Sequence, residues 1–124
     1  MIRILIYETD RAQVRRYRNW FDSTYDMFYA SSVKDTISLL SRYEIDILVL
    51  STYGENISLE ELRNIASTYR SGIQTICVSS ETPKREITDT IIVSNIDALL
   101  YRPFSPSQFR YVAEKLYATT AALS

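Results

Sequence analysis

The stretch Ile45-Asp46-Ile47-Leu48-Val49-Leu50-Ser51 is an almost continuous aliphatic run that ends in a small polar residue. A run of this length and β-branched content predicts a strand covered on both faces, as in a parallel sheet. Four similar runs predict further strands at Ile2–Tyr7, Tyr25–Ala30, Ile73–Val78 and Ala98–Tyr101. Segments of helical length follow the strands. This alternation predicts an α/β domain in which helices cover a parallel sheet.

Local signals mark where several of these helices begin. Ser32, Ser58 and Ser105 precede predicted helices, and each hydroxyl is expected to accept a hydrogen bond from an amide of the first turn. Apolar residues of the last helix recur at helical spacing and are expected to face the sheet: Phe109, Val112, Ala113 and Leu116. By contrast, six of the eight residues in Glu86–Val93 are β-branched, so the fourth helix is predicted to be short or irregular.

Composition excludes several classes of protein. The 124 residues fit one domain, and the formal net charge of -1 argues against a dedicated nucleic-acid binder. The chain contains no histidine, and therefore lacks the commonest general base and metal ligand. Cys77 is the only cysteine, which fits a reducing cytoplasm, and we interpret it as a small buried residue rather than a reactive thiol. No apolar run is long enough to span a membrane.

Polar residues follow four of the predicted strands in a recurring pattern. An acidic segment, Glu8-Thr9-Asp10, follows the first strand, and Ser51 ends the third. Ser79 ends the fourth strand, and Arg102-Pro103-Phe104 follows the fifth at a fixed distance from a Ser-Pro helix start. Together these segments resemble the receiver domain of bacterial response regulators over nearly the whole chain.

The resemblance implies a specific fold. It predicts a flavodoxin-like (βα)5 three-layer sandwich with a five-stranded parallel sheet in the order 2-1-3-4-5. All four polar segments would then meet at the carboxyl ends of the strands, where ligands of such sheets bind. The resemblance also implies a cis peptide before Pro103.

The phosphorylation pocket that the resemblance implies is degenerate in this sequence. Glu8 matches the first acidic position, but Thr9 replaces the second acid and Ser51 replaces the phosphate-accepting aspartate. Asp10 lies one residue along, where we expect it to cap the first helix. Ser79 keeps the switch hydroxyl, and Arg102 replaces a lysine. Because Mg²⁺ requires several carboxylate oxygens, its binding is expected to be weak or absent.

Three interpretations of this pocket stay open at the level of sequence. Glu8 and Arg102 could form an ion pair that sets the switch permanently, or a solvated pair of little energetic consequence. Ser51 could accept phosphate from a kinase that does not use histidine, although a serine hydroxyl needs an activating base. The vacated pocket could also bind a small ligand or an anion.

Two surfaces are candidates for protein contacts. Leu99 stands where the receiver family usually carries an aromatic residue, and with Tyr101 and Tyr111 it marks the surface of helix four, strand five and helix five. The resemblance implies that this surface forms dimers. A basic stripe on the first helix, made by Arg11, Arg15 and Arg18, is predicted opposite Val14, Tyr17 and Phe21. It is either a solvated face or a docking site for an acidic partner.

These observations predict a pseudo-receiver comprising residues 1–124 as a single domain, which could be the N-terminal domain of a longer protein. Its expected role is signal transduction or transcriptional regulation through phosphorylation-independent contact with a protein partner, including a second copy of itself. We expect no catalysis, no cofactor, no resident metal, no direct contact with nucleic acid or membrane, and a cytoplasmic location.

Overall fold

The computed structural model describes residues 1–51, 59–79 and 97–123, and the side chains of 1–50, 64–79 and 97–119. The strands are β1 (Arg3–Tyr7), β2 (Asp26–Ala30), β3 (Ile47–Ser51), β4 (Gln74–Ser79) and β5 (Ala98–Tyr101). The helices are α1 (Arg11–Phe21), α2 (Val33–Arg42), α3 (Leu59–Tyr69) and the C-terminal helix (Pro106–Leu123). The predicted strands therefore agree with the structure to within two residues at their ends.

All strand pairs are parallel, and the sheet order is β2-β1-β3-β4-β5, as expected. Alternate residues of each strand point to opposite faces, which divides the core into two clusters. Ile4, Ile6 and Val49 pack with α1 and the C-terminal helix on one face, hereafter the α1 face. Leu5, Leu48 and Leu50 pack with α2 and α3 on the other, hereafter the α2 face. The chain thus forms the predicted three-layer sandwich.

The helix ends follow the predicted caps wherever the structure describes them. The Asp35 amide donates to Ser32 Oγ at 3.0 Å at the start of α2. At the C-terminal helix, the Gln108 amide donates to Ser105 Oγ at 3.1 Å, and the Ser105 amide donates to Gln108 Oε1 at 2.7 Å. This reciprocal pair is a capping box. The predicted cap at Ser58 and the segment Glu86–Val93 lie outside the described residues.

The C-terminal helix packs on the sheet as predicted. Phe109 and Ala113 are fully buried, and Val112 and Leu116 pack against the same cluster. The helix continues to Leu123. Within the described ranges, no helix is long and apolar enough to cross a lipid bilayer.

Candidate functional site

The carboxyl ends of the strands bring together residues that are far apart in sequence. Tyr7 of β1 pairs with Leu50 of β3, so Glu8, which follows β1, stands level with Ser51 at the end of β3. Ser79 ends β4 and is buried, and its carbonyl oxygen accepts a hydrogen bond from the Arg102 amide at 2.7 Å. The predicted pocket positions therefore lie together at the carboxyl-terminal end of the sheet.

Glu8 and Arg102 form a short, largely buried ion pair at this end of the sheet. Arg102 Nη2 donates to Glu8 Oε1 at 2.7 Å, and the Thr9 amide donates to Glu8 Oε2 at 3.1 Å. The side chain of Glu8 is 0% exposed and that of Arg102 is 13% exposed. The interpretation of this contact as a solvated surface pair is therefore wrong.

The pair spans the site from one side to the other. Glu8 follows β1 and Arg102 follows β5, and β3 and β4 lie between those two strands. Neighbouring strands are about 4.8 Å apart, so the two backbones are separated by roughly 14 Å. Alternation from Ile6 and Leu100 places both side chains on the α1 face. The guanidinium group of Arg102 must therefore reach past the ends of β4 and β3 on that face.

Tyr17 of α1 is a further partner of Arg102, and sequence analysis did not identify it. Its hydroxyl accepts a hydrogen bond from the guanidinium group, and the residue is only 2% exposed. Burial raises the pKa of Tyr17, so its phenol is neutral at physiological pH. Burial lowers the pKa of Arg102, but the contacts with Tyr17 and Glu8 outweigh it and hold the pKa above its usual value. Arg102 is therefore a fixed cation between a carboxylate and a phenol.

Nothing in the local sequence separates Tyr17 from an ordinary core residue. Its ring contacts four aromatic residues of the core: Trp20, Phe21, Phe104 and Phe109. Only the tertiary position of Arg102 shows that the polar end of Tyr17 belongs to the site.

The side-chain oxygens at this end of the sheet do not fit the divalent cation that the receiver resemblance implies. Both carboxylate oxygens of Glu8 already accept hydrogen bonds, and the side chain has no exposed surface. Asp10 is exposed, and its Oδ1 accepts from the Ala12 amide at 2.9 Å as the N-cap of α1, as predicted. Among the described residues, no group of three histidine, cysteine or acidic side chains could hold a metal ion.

The predicted interaction residues lie on different sides of the β5 edge. Leu99 and Tyr101 are half-buried, and alternation places them on the face opposite Ala98 and Leu100. Tyr111, on the C-terminal helix, is 67% exposed and belongs to the layer that covers the α1 face. A surface that includes all three residues must therefore wrap around β5, the edge strand of the sheet.

Cys77 lies in the centre of β4 and is fully buried. Burial raises its pKa from 9.0 to about 11, which keeps the thiol protonated at neutral pH. The structure therefore agrees with the interpretation of Cys77 as a packed apolar residue.

The architecture matches a group of solved structures along almost the full chain. A receiver domain protein from Methanospirillum hungatei superposes with a TM-score of 0.87 at 16% identity, covering 100% of this chain and 99% of that one. The chain has the receiver fold. The signal receiver domain of an HD domain-containing protein from Pseudomonas fluorescens gives a TM-score of 0.86 at 13% identity, with coverage of 98% and 90%.

A receiver-modulated diguanylate cyclase from Pelobacter carbinolicus matches this receiver fold with a TM-score of 0.83 at 19% identity, covering 99% of this chain and 97% of that one. No protein-family model and no curated protein matches the sequence. The Arg102–Pro103 peptide is cis, as the resemblance implied.

Proposed function

We propose that this chain is a pseudo-receiver: a single, non-catalytic signalling domain over residues 1–124 that acts through contact with a protein partner and without phosphorylation. The buried Glu8–Arg102 pair carries this proposal. A phosphoryl group needs a nucleophile and a divalent cation at this edge of the sheet. Here β3 ends in Ser51, and the remaining carboxylate is already neutralised by a guanidinium group.

The internal pair also supports a fixed state of the domain. In a switchable pocket, charge arrives and leaves with the phosphoryl group, and the surrounding contacts change with it. In this chain Arg102 is balanced permanently by Glu8 and is held by Tyr17. Separating the pair would leave a buried carboxylate unpaired, which costs about 3–5 kcal/mol. The domain is therefore expected to keep one arrangement.

The partner that we propose is a second copy of this chain, which would bind through the surface around β5 and the C-terminal helix. Tyr111 supports this choice, because a tyrosine that is 67% exposed combines apolar area with a polar tip. The single buried cysteine is consistent with the reducing cytoplasm in which we place the domain.

The decisive experiment asks whether the pocket binds a phosphoryl mimic. Amide NMR spectra of the wild-type chain are recorded with Mg²⁺ and beryllofluoride. We expect no saturable shifts at Ser51 or Ser79, two pocket positions that do not line the cleft beside α1. The matched variant Thr9→Asp/Ser51→Asp/Arg102→Lys restores the residue types that the receiver resemblance implies, and we expect it to respond. Saturable shifts at Ser51 or Ser79 in the wild-type chain would refute the pseudo-receiver proposal.

A further inference from the structure

A cleft lies beside the Glu8–Arg102 pair, between α1 and the carboxyl end of β2. It has a volume of about 520 Å³, and its lining includes Thr9, Arg11, Val14, Arg15, Arg18 and Tyr29. We call it the arginine cleft. It falls within the range of roughly 300–1,000 Å³ that small-ligand sites occupy. Val14 belongs to this lining, so its predicted position opposite the basic stripe is wrong.

The arginine cleft carries positive charge that the described part of the chain does not balance. Arg18 is engaged: its guanidinium carbon lies 4.3 Å from the centroid of the Tyr29 ring, and its Nη1 lies 4.0 Å from Asp22. None of the ion pairs among the described residues involves Arg11 or Arg15. Both side chains are exposed at the mouth of the cleft.

The positions of Arg11 and Arg15 are unfavourable for the helix itself. Arg11 is the first residue of α1, where a positive charge opposes the helix dipole; the N-cap carboxylate of Asp10 offsets this in part, and the first turn itself contains no acidic residue. Arg15 is four residues further along, a spacing at which like charges repel each other. An anion bound between the two side chains would relieve both effects.

The acidic residue in the cleft wall does not oppose an anion. The carboxylate of Glu8 is fully buried and is paired with Arg102 on its inner side. The hydroxyl groups of Thr9 and Ser31, which also line the cleft, add neutral donors. The lining of the cleft therefore combines guanidinium groups with neutral hydroxyl groups.

We infer that the arginine cleft binds a small phosphorylated ligand with at least two negative charges. A guanidinium group offers two parallel N–H donors that match phosphate oxygens, and two arginines on one helix face favour a di- or polyphosphate over a single carboxylate. This site differs from the vacated pocket considered above, because it lies on the α1–β2 side of Glu8. It does not rest on the proposed function, because that proposal depends on Glu8 and Arg102 and this one depends on Arg11 and Arg15.

The test uses inorganic pyrophosphate as the probe, titrated into the full chain and followed by calorimetry and amide NMR. We expect saturable binding with shifts at Thr9, Val14 and Ser31. The variant Arg11→Gln/Arg15→Gln should weaken binding about tenfold or more, because it removes both sets of charged hydrogen-bond donors. The control variant Arg16→Gln/Arg42→Gln removes the same net charge outside the cleft and should keep the affinity within about twofold.

Three results would overturn the assignment. If both double variants weaken binding equally, or if the shifts never saturate, pyrophosphate binds only through general charge attraction. A tetra-aspartate peptide that binds more tightly than pyrophosphate, with the same dependence on Arg11 and Arg15, would assign the cleft to an acidic protein partner instead. Thermal unfolding of each variant checks that the fold is retained.

Discussion

At the scale of the residue, the guanidinium group of Arg102 lies in a largely buried site where the carboxylate of Glu8 balances its charge. Removing one member of such a pair leaves the other charge without compensation, whereas replacing both with apolar residues is often neutral. We therefore expect Arg102→Ala to lower the free energy of unfolding by about 3–5 kcal/mol. The double variant Glu8→Leu/Arg102→Met should recover most of that loss.

Urea unfolding of the wild-type chain, Glu8→Leu, Arg102→Met and the double variant forms a thermodynamic cycle that measures the coupling of the pair. The exposed pair of Arg18 and Asp22, 4.0 Å apart, supplies the comparison, and its cycle should give less than about 1 kcal/mol. If Arg102→Ala also changes stability by less than this amount, the buried pair does not fix the state of the domain.

The thiol of Cys77 should make the stability of the fold depend on pH in the alkaline range. Its pKa in the folded chain is about 11, above the ordinary 9.0, so the folded state holds its proton more tightly than the unfolded state does. The protonated thiol therefore contributes fully to the free energy of unfolding below pH 9. This contribution is lost as the pH rises towards 11, by up to about 1.4 kcal/mol per pH unit.

We expect Cys77→Val to flatten the dependence of the unfolding free energy on pH between pH 9 and 10. The buried tyrosine Tyr17, whose pKa is also raised, begins to contribute only near its ordinary value of 10.0, and it does so in both proteins. Chemical unfolding at four pH values across this interval measures the two slopes. Parallel slopes would show that the thiol does not titrate there.

At the scale of the element, the cap of the C-terminal helix is a local feature with a measurable contribution. The Ser105 hydroxyl accepts from the Gln108 amide at 3.1 Å, and this contact was predicted from four consecutive residues. Ser105→Ala should lower the unfolding free energy by about 0.5–2 kcal/mol. Ser107→Ala, in the first turn of the same helix, is the control and should change it by less than about 0.5 kcal/mol. Equal losses in both variants would show that the Ser105 cap makes no specific contribution.

The same division between local and distant contacts explains what the sequence could predict. Strand alternation and Ser-x-x-Gln caps depend on neighbouring residues, so the strands and the helix start at Pro106 were predicted correctly from local sequence. The sheet order was predicted correctly from the receiver resemblance. The contact of Tyr17 with Arg102 joins α1 to the end of β5 through the path of one side chain. The separation of Tyr101 and Tyr111 by the β5 edge likewise depends on packing. No residue pattern encodes either arrangement.

At the scale of the whole molecule, different ion pairs lie at the amino-terminal and carboxyl-terminal ends of the sheet. At the amino-terminal edge, Asp46 Oδ2 accepts from the Arg3 amide at 2.9 Å and Asp46 Oδ1 pairs with Arg70 at 2.8 Å, which joins β1, β3 and the end of α3. At the carboxyl edge, the Glu8–Arg102 pair joins β1 to β5 across the strands between them. Ion pairs thus connect segments that are distant in sequence at both ends of the sheet, which supports the proposed fixed arrangement of the domain.

Assembly is therefore the property to perturb, and Tyr111 is the residue at which to perturb it. We expect sedimentation equilibrium to show a mass that rises with the concentration of the wild-type chain and does not respond to Mg²⁺ and beryllofluoride. Tyr111→Glu should weaken this association about tenfold or more, because it places a charge where the proposed homodimer would bury an aromatic side chain. Tyr69→Glu, at a tyrosine that is 46% exposed at the end of α3, is the matched control and should leave association unchanged. A wild-type monomer at every concentration would exclude the homodimer, and equal loss in both variants would move the interface away from the C-terminal helix.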